Sequence, residues 1–480
     1  MKNYFILGIF SLGMILSCQN IIQKKYEQVA KAQCGACHLP PSPSSLSKDI
    51  WQNSILPEMA KYYVWSEKSV YAYANEMFYS KKGSLPMNDK TWSAIESYYL
   101  ENSPLEIAIR PFENLSTQTY FEELPFSNIC QLPAVTALHI DEKGQLLCAC
   151  NKKLLAVNID ATKNTLWNSP FILSHIEPLD DEQILLLNIG ELGPHNYAKG
   201  SLLLWNTSRQ KEEVLLKNLH RPVYINRMED QLLISEHGHD VGKLSVYHPQ
   251  TTAYEQLLNL SGSYKSYWVD INKNGKEELL VQFSQAKEGI YTFSIAEDST
   301  YSTKTLLTFP PNFGFSDLDT ADINQDGWVD LVVSNGDNAD ISNIPKNYHG
   351  VRVYLNDRTG NFKESYFYPL YGATQVSCLD IQGDGKVDIV VASFFAEKVE
   401  ESIRVLTNQS TEQLSFSVSS VASAPKGRWM VMQTGDLDKD GDLDVVLGSF
   451  INGPTKMKDS ILDNWLKESV DLLVLLNEQK

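Results

Sequence analysis

Two thiols and an imidazole share one short run of this chain, Cys34-Gly35-Ala36-Cys37-His38. Thiols at that spacing can add across the vinyl groups of a haem, and the histidine directly after them can bind the iron as its proximal axial ligand. A zinc site would need two further ligands at short spacing, and none follow. One covalent c-type haem is therefore expected. A pure electron carrier also needs a sixth iron ligand, for which Met59, Met77 and Met87 are the candidates.

Oxygen side chains make a second chemical pattern. Its clearest copies are Asp322-Ile-Asn324-Gln-Asp326-Gly327-Trp328-Val-Asp330 and Asp436-Leu-Asp438-Lys-Asp440-Gly441-Asp442-Leu-Asp444. Weaker copies run Asp270-Ile-Asn272-Lys-Asn274-Gly275-Lys276-Glu-Glu278 and Asp380-Ile-Gln382-Gly-Asp384-Gly385-Lys386-Val-Asp388. Oxygens at positions one, three, five and nine, a glycine at six and a backbone carbonyl at seven can fold tightly round one cation. That all-oxygen shell suits calcium, so up to four ions are expected. The loops start 52, 58 and 56 residues apart, and self-similarity at such a period signals a propeller or another repeat array.

The elements that must position these loops are strands. An apolar strand follows each loop, and then a second strand pair, as in Gly289–Phe293, Val351–Leu355, Ser402–Leu406 and Asp471–Leu476. Equivalent runs without a metal loop occur at Leu154–Asn158, Ser201–Trp205 and Lys243–Tyr247. Counting gives seven blades, or eight if residues 105–135 hide another. The chain stops just past Leu476, which leaves the last blade short of its outer strand, and Tyr120–Leu124 has the length and character to supply it. Closure of that kind removes an exposed sheet edge.

The haem run calls for helices. Tyr26 and Val29 place one apolar face on a short helix that ends at the CxxCH, and Trp92, Ile95 and Tyr99 recur at helical spacing, with Asn88 or Asp89 as N-cap and Pro104 as stop. At the N-terminus, Lys2, an apolar run from Tyr4 to Ile15, and Leu16-Ser17-Cys18 read as an export signal, too short to remain in a bilayer as a spanning helix. A net charge of −18 argues against nucleic acid as a partner. Of the seven cysteines, Cys130, Cys148, Cys150 and Cys378 carry no assignment; an oxidising compartment permits a disulfide from Cys130 to Cys148 or Cys150, and buried free thiols are the alternative. Glu236-His237-Gly238-His239-Asp240 could line a ligand site at the propeller face, against which alternating histidines on a blade turn are more often solvent-facing; Gly190 to His195 falls at the matching place in the blade before. No nucleophile elbow, phosphate-binding glycine loop or zinc-hydrolase helix is present.

Three resemblances follow from these residues. Ile15-Leu16-Ser17-Cys18 resembles a bacterial lipobox, which implies cleavage before Cys18, lipidation of its thiol and an extracytoplasmic body anchored to a membrane. Residues 22 to about 105 resemble the cytochrome c fold; around Trp51-Gln-Asn-Ser-Ile-Leu-Pro57-Glu-Met59 the sequence is similar to cytochrome domains fused to bacterial repeat proteins, which favours Met59 as sixth ligand over Met87 in Leu85-Pro86-Met87. The metal loop resembles the FG-GAP or VCBS repeat of integrin α-like propellers, in which it joins the first two strands of a blade.

The expected architecture is mainly β, a seven-bladed β-propeller of FG-GAP/VCBS repeats preceded by a small all-α cytochrome c-like domain. Its divisions are a lipoprotein signal peptide (1–17), a haem domain (18–105), a linker (106–118) and the propeller (119–480). The expected function is a membrane-anchored c-type cytochrome that passes electrons to a redox partner protein, with a calcium-binding scaffold. The alternative is a propeller that binds a glycan or protein, the haem being accessory. An oxidoreductase would need a substrate-oxidising centre in the propeller, to which no residue here points.

Overall fold

The computed structural model describes residues 21–65, 85–111, 113–228, 230–285, 287–295, 301–337, 346–455 and 457–478. The chain divides into two compact units, Met1–Arg110 and Pro111–Lys480. The export signal, Cys18 and Met77 lie outside the described residues.

In the first unit a helix over 21–34 leads into the CxxCH, a helical run follows from Lys48 to Ala60 with a π-turn at Trp51–Ile55, and a third helix spans Asp89–Asn102. Asn88 caps that third helix, its Oδ1 accepting the Thr91 amide at 2.9 Å, and so satisfies one of the helix's otherwise unpaired donors. Trp51, Trp92, Ile95 and Tyr99 meet in one core, and the Trp51 and Tyr99 rings lie 4.3 Å apart. The unit is not all-α: Tyr63–Trp65 and Leu85–Met87 pair as two short parallel strands, with Trp65 opposite Met87. Three-residue strands carry too little periodicity to stand out in the sequence.

The second unit is a ring of seven four-stranded antiparallel sheets. Six run in simple chain order, from Val135–Asn168 to Ala373–Ser420. The seventh joins Trp429–Gly435, Asp444–Ser449 and Val470–Asn477 to a strand from before the first blade, Phe121–Ser127. Residues 105–135 thus supply the closing strand and not an eighth blade. The pairing runs antiparallel from Phe121 opposite Asn477 to Phe126 opposite Leu472. Pro125 is tolerated because this strand is outermost, where an amide donor is not needed on the open side.

Burial explains the blade pattern. The second strands Asp330–Asn335, Asp388–Ser393 and Asp444–Ser449 are buried at every position, whereas the outer strand Phe362–Pro369 is buried at one and otherwise half-buried or exposed. A strand covered on both faces reads as a continuous apolar run, not as alternation. Its side chains pack into clusters shared by neighbouring blades: Val332 and Val353 meet Val376 and Val391, and Val390 and Val405 meet Val445 and Leu447.

Closure is reinforced at two places. Asp471, fully buried, accepts the amides of Ile129 and Cys130 at 2.7 and 3.0 Å, and Cys130 is disulfide-bonded to Cys150 in the first blade. Cys148 and Cys378 are free.

Burial pushes the Asp471 carboxyl up to about 6, the amide hydrogen bonds acting the other way. A carboxyl raised on folding binds its proton more tightly in the native state, so its contribution is largest below the unfolded value of about 4 and is lost as pH rises through about 6. Asp471→Asn should therefore gain about 2 kcal/mol on the wild type between pH 4 and pH 7, read as the difference in unfolding free energy between the two proteins. A difference that does not change with pH would contradict this.

Candidate functional site

The four acidic loops all join the first and second strands of a blade, in blades four to seven. Their backbones repeat the same bend. Position four has φ of 53°, 58°, 67° and 69°, and position six, always glycine, has φ of 81°, 82°, 80° and 100°. No atom would obstruct a Cβ at Gly275 or Gly441, so the left-handed conformation and not lack of room selects glycine there.

Each position-one aspartate folds its loop round itself. Asp322 accepts the Asp326 amide at 3.0 Å and the Gly327 amide at 2.7 Å; Asp270 and Asp380 do the same for their loops. Asp436 departs from this. Its Oδ2 accepts from Gly441 at 3.2 Å, while its buried Oδ1 has no hydrogen-bond partner among the described residues. Asp436, Asp438 and Asp444 each bring a carboxylate oxygen within 4.8 Å of the others. Three converging carboxylates, one of them with an unsatisfied oxygen, form a donor set that fits calcium.

Position nine does something spacing alone does not reveal. Asp330, Asp388 and Asp444 are completely buried, and both oxygens of each are engaged by backbone. Oδ2 accepts the position-two amide of its own loop (Ile323, Ile381, Leu437) at 2.7–3.0 Å. Oδ1 accepts the amide of an asparagine at the end of the third strand (Asn356, Asn408, Asn477) at 2.6–2.9 Å. Burial raises all three carboxyls to about 6. In the 270 loop Glu278 holds Ile271 at 3.2 Å and also accepts from the Asn272 side chain at 2.8 Å.

Nothing in the spacing of the acidic loops points to those asparagines; their own signal is an Asn closing each of these third strands, in Leu355-Asn356, Thr407-Asn408 and Leu476-Asn477.

The opposite end of the ring is lined by the starts of first strands and the ends of second strands. A cavity of about 220 Å³ opens there among Tyr264, Ser316, Gln375, His237, Phe394 and Phe395. His237 is a wall of this cavity, which agrees with the less favoured of the two readings of its motif and not with a solvent-facing turn. Burial, with Arg221 adding to it, holds its imidazole down at about 4, so it is neutral at pH 7. Deeper along the first strands, Lys265 pairs with the buried Asp317 at 2.8 Å, Asp317 accepts the Val376 amide at 3.0 Å and Asp319 accepts the Cys378 amide at 2.8 Å. Each contact crosses from one blade to the next.

In the first unit Cys34 packs half-buried against the core that holds Tyr63, Tyr99, Met59 and Met87, and burial pushes its thiol up to about 11. Cys37 is exposed. Gly35 is required between them, since a Cβ there would lie 2.4 Å from the Lys31 carbonyl. His38 Nδ1 lies 3.2 Å from the Leu39 carbonyl, a contact that orients the ring and leaves Nε2 for a metal. Met87 is 1% exposed at its strand end, and Met59 sits half-buried on the helix Leu56–Ala60. This donor set fits a covalent haem.

Comparison with known proteins places the repeats. A family described as an FG-GAP-like repeat matches residues 270–333 and 380–447, each match spanning two of the acidic loops. No curated protein matches the chain. Among solved structures, a gluconolactonase from Xanthomonas campestris is 12% identical with a TM-score of 0.37, covering 56% of this chain and 86% of that one. The extracellular domain of a one-component system from B. thetaiotaomicron is 12% identical with a TM-score of 0.44, covering 74% of this chain but 40% of that one. An auxiliary nutrient binding protein from Bacteroides ovatus is 9% identical with a TM-score of 0.38, covering 58% and 72%. All three lie too far away for function to be carried across. The second unit is a seven-bladed β-propeller with FG-GAP-like repeats.

Proposed function

We propose that this chain is an extracytoplasmic binding protein, anchored to a membrane through a lipid on Cys18, whose propeller recognises a glycan or protein and whose haem domain is accessory. The observation that carries this is the cavity at the end of the ring away from the acidic loops. Tyr264, Phe394 and Phe395 offer aromatic faces there, beside the hydrogen-bonding Ser316, Gln375 and His237. Aromatic surface with a few convergent polar groups suits a sugar ring or a peptide side chain. Calcium in the four loops stiffens the blades that carry this end. The ligands are Asp270, Asn272, Asn274, Lys276 and Glu278; Asp322, Asn324, Asp326, Trp328 and Asp330; Asp380, Gln382, Asp384, Lys386 and Asp388; and Asp436, Asp438, Asp440, Asp442 and Asp444, position seven acting through its carbonyl.

The CxxCH favours a second function, electron transfer. Cys34 and Cys37 would hold a haem by thioethers, His38 would take one axial position, and Met59, or else Met87, the other. Haem bound there would supply one reversible electron.

Retention of the full chain on glycan and membrane-protein arrays tests the first function. Phe395→Ala with Gln375→Ala should weaken retention more than tenfold when measured well below the melting temperature, which loss of the buried Phe395 ring lowers; undiminished retention would place binding elsewhere. Cys34→Ala with Cys37→Ala should remove all covalent haem from a denaturing gel, and haem that persists would refute the attachment. Asp330→Ala should cost about 2–4 kcal/mol even in chelator, because two buried amides lose their acceptor. Asp326→Ala, whose cation partner Arg358 is mostly exposed, should cost about 1 kcal/mol or less in chelator and more in calcium. Equal costs in chelator would deny position nine its structural role.

A further inference from the structure

We propose that the calcium sites of blades four, five and six are one coupled group and that the blade-seven site is independent, with Asn356 and Asn408 as the positioning residues that couple them. This rests on the calcium reading of the loops.

The coupling path is continuous. The Asn356 side-chain amide donates to Val329 of its own loop at 3.2 Å and to Ile271 of the preceding blade's loop at 3.0 Å. Asn408 repeats this one blade on, donating to Val387 at 3.1 Å and to Ile323 at 3.0 Å. Each asparagine also gives its backbone amide to the position-nine carboxylate of its own loop, Asp330 at 2.8 Å and Asp388 at 2.6 Å. The residues reached in the preceding loops, Ile271 and Ile323, in turn donate their amides to Glu278 and Asp330, the position-nine ligands there. Asp388, Asn408, Ile323, Asp330, Asn356, Ile271 and Glu278 therefore form one relay of buried and half-buried hydrogen bonds through three loops. An ion that fixes Asp330 fixes the acceptor of both Asn356 and Ile323, and so pre-orders the loop on either side.

Further contacts follow the same path. Gln325 donates to the Gly385 carbonyl at 2.8 Å, and the Lys273 ammonium lies 5.1 Å from the Trp328 ring centroid. The relay stops at blade seven. Asn477 gives its backbone amide to Asp444, but its side-chain nitrogen and oxygen are buried and have no hydrogen-bond partner among the described residues. Pre-ordering by a neighbour lowers the cost of ordering the next site, which is positive cooperativity between ions of the same kind.

Calcium titration of the full chain by calorimetry, with bound ions counted by native mass spectrometry, tests this. One site, in the 436 loop, should fill first and by itself, and the other three should fill together, so that forms holding two or three ions stay scarce. Asp326→Ala removes a ligand of the 322 loop and leaves every relay bond in place. It should nevertheless lower the affinities of the 270 and 380 sites by about fivefold or more. Asn356→Ala should lower the 270 site by a similar factor, and Asn477→Ala should change none. If Asn356→Ala does not fold, Asp326→Ala decides alone. Unchanged 270 and 380 affinities in Asp326→Ala would overturn the coupling while leaving calcium in the loops; no calcium in any loop would overturn both.

Discussion

The second strand of every blade has no solvent-exposed face. Ile389, Val390, Val391 and Ala392 are wholly buried, as are Val445, Val446 and Leu447, with successive side chains pointing to opposite neighbours. A blade at the end of an open row would leave half of these in water, at about 1.5–3 kcal/mol for each large apolar side chain. The row must therefore meet itself, and the pairing of Phe121–Ser127 with Val470–Asn477 is where it does. The apolar clusters between neighbouring blades depend on that one antiparallel pairing.

With closure provided, the two ends of the ring are free to differ. At one end buried carboxylates tie loops to strands, and the asparagines that follow the third strands tie one blade to the next. At the other end His237, Phe394 and Phe395 border a cavity, with Lys265 and Asp317 paired beneath. The cross-blade hydrogen bonds of the acidic end reach the cavity end through the strands that connect the two.

Much of this was legible in the residues. The period of the acidic loops indicated repeats, their place between first and second strands came with the resemblance to FG-GAP or VCBS repeats, and Tyr120–Leu124 was identifiable as the missing outer strand. The blade number followed from third-strand runs such as Leu154–Asn158 and Ser201–Trp205, where no loop marked them. What escaped notice was cross-blade. Asn356 and Asn408 act on loops 85 residues earlier in the chain, a separation that no local pattern encodes. His237 lay in a motif typical of exposed turns, and only the packing of several blade ends buries it. The Cys130–Cys150 pairing likewise depended on where the closing strand delivers Cys130, since Cys148 and Cys150 share one strand and one face.

That disulfide gives the closing strand two kinds of attachment. Hydrogen bonds hold it to the last blade, and a covalent bond three residues beyond its end holds it to the first. If thermal motion or force peels the strand from Val470–Asn477, chain continuity into Val135 already keeps it near, and the bridge shortens that tether from the seven residues 128–134 to the two between Ser127 and Cys130. The strand stays tethered beside its own groove at an effective concentration on the order of millimolar, so re-pairing is an intramolecular step that outcompetes capture of the bared edge by another molecule. The bridge thus acts as a second, shorter leash beside the one the chain already supplies, and it narrows the space the freed strand can search before it re-pairs.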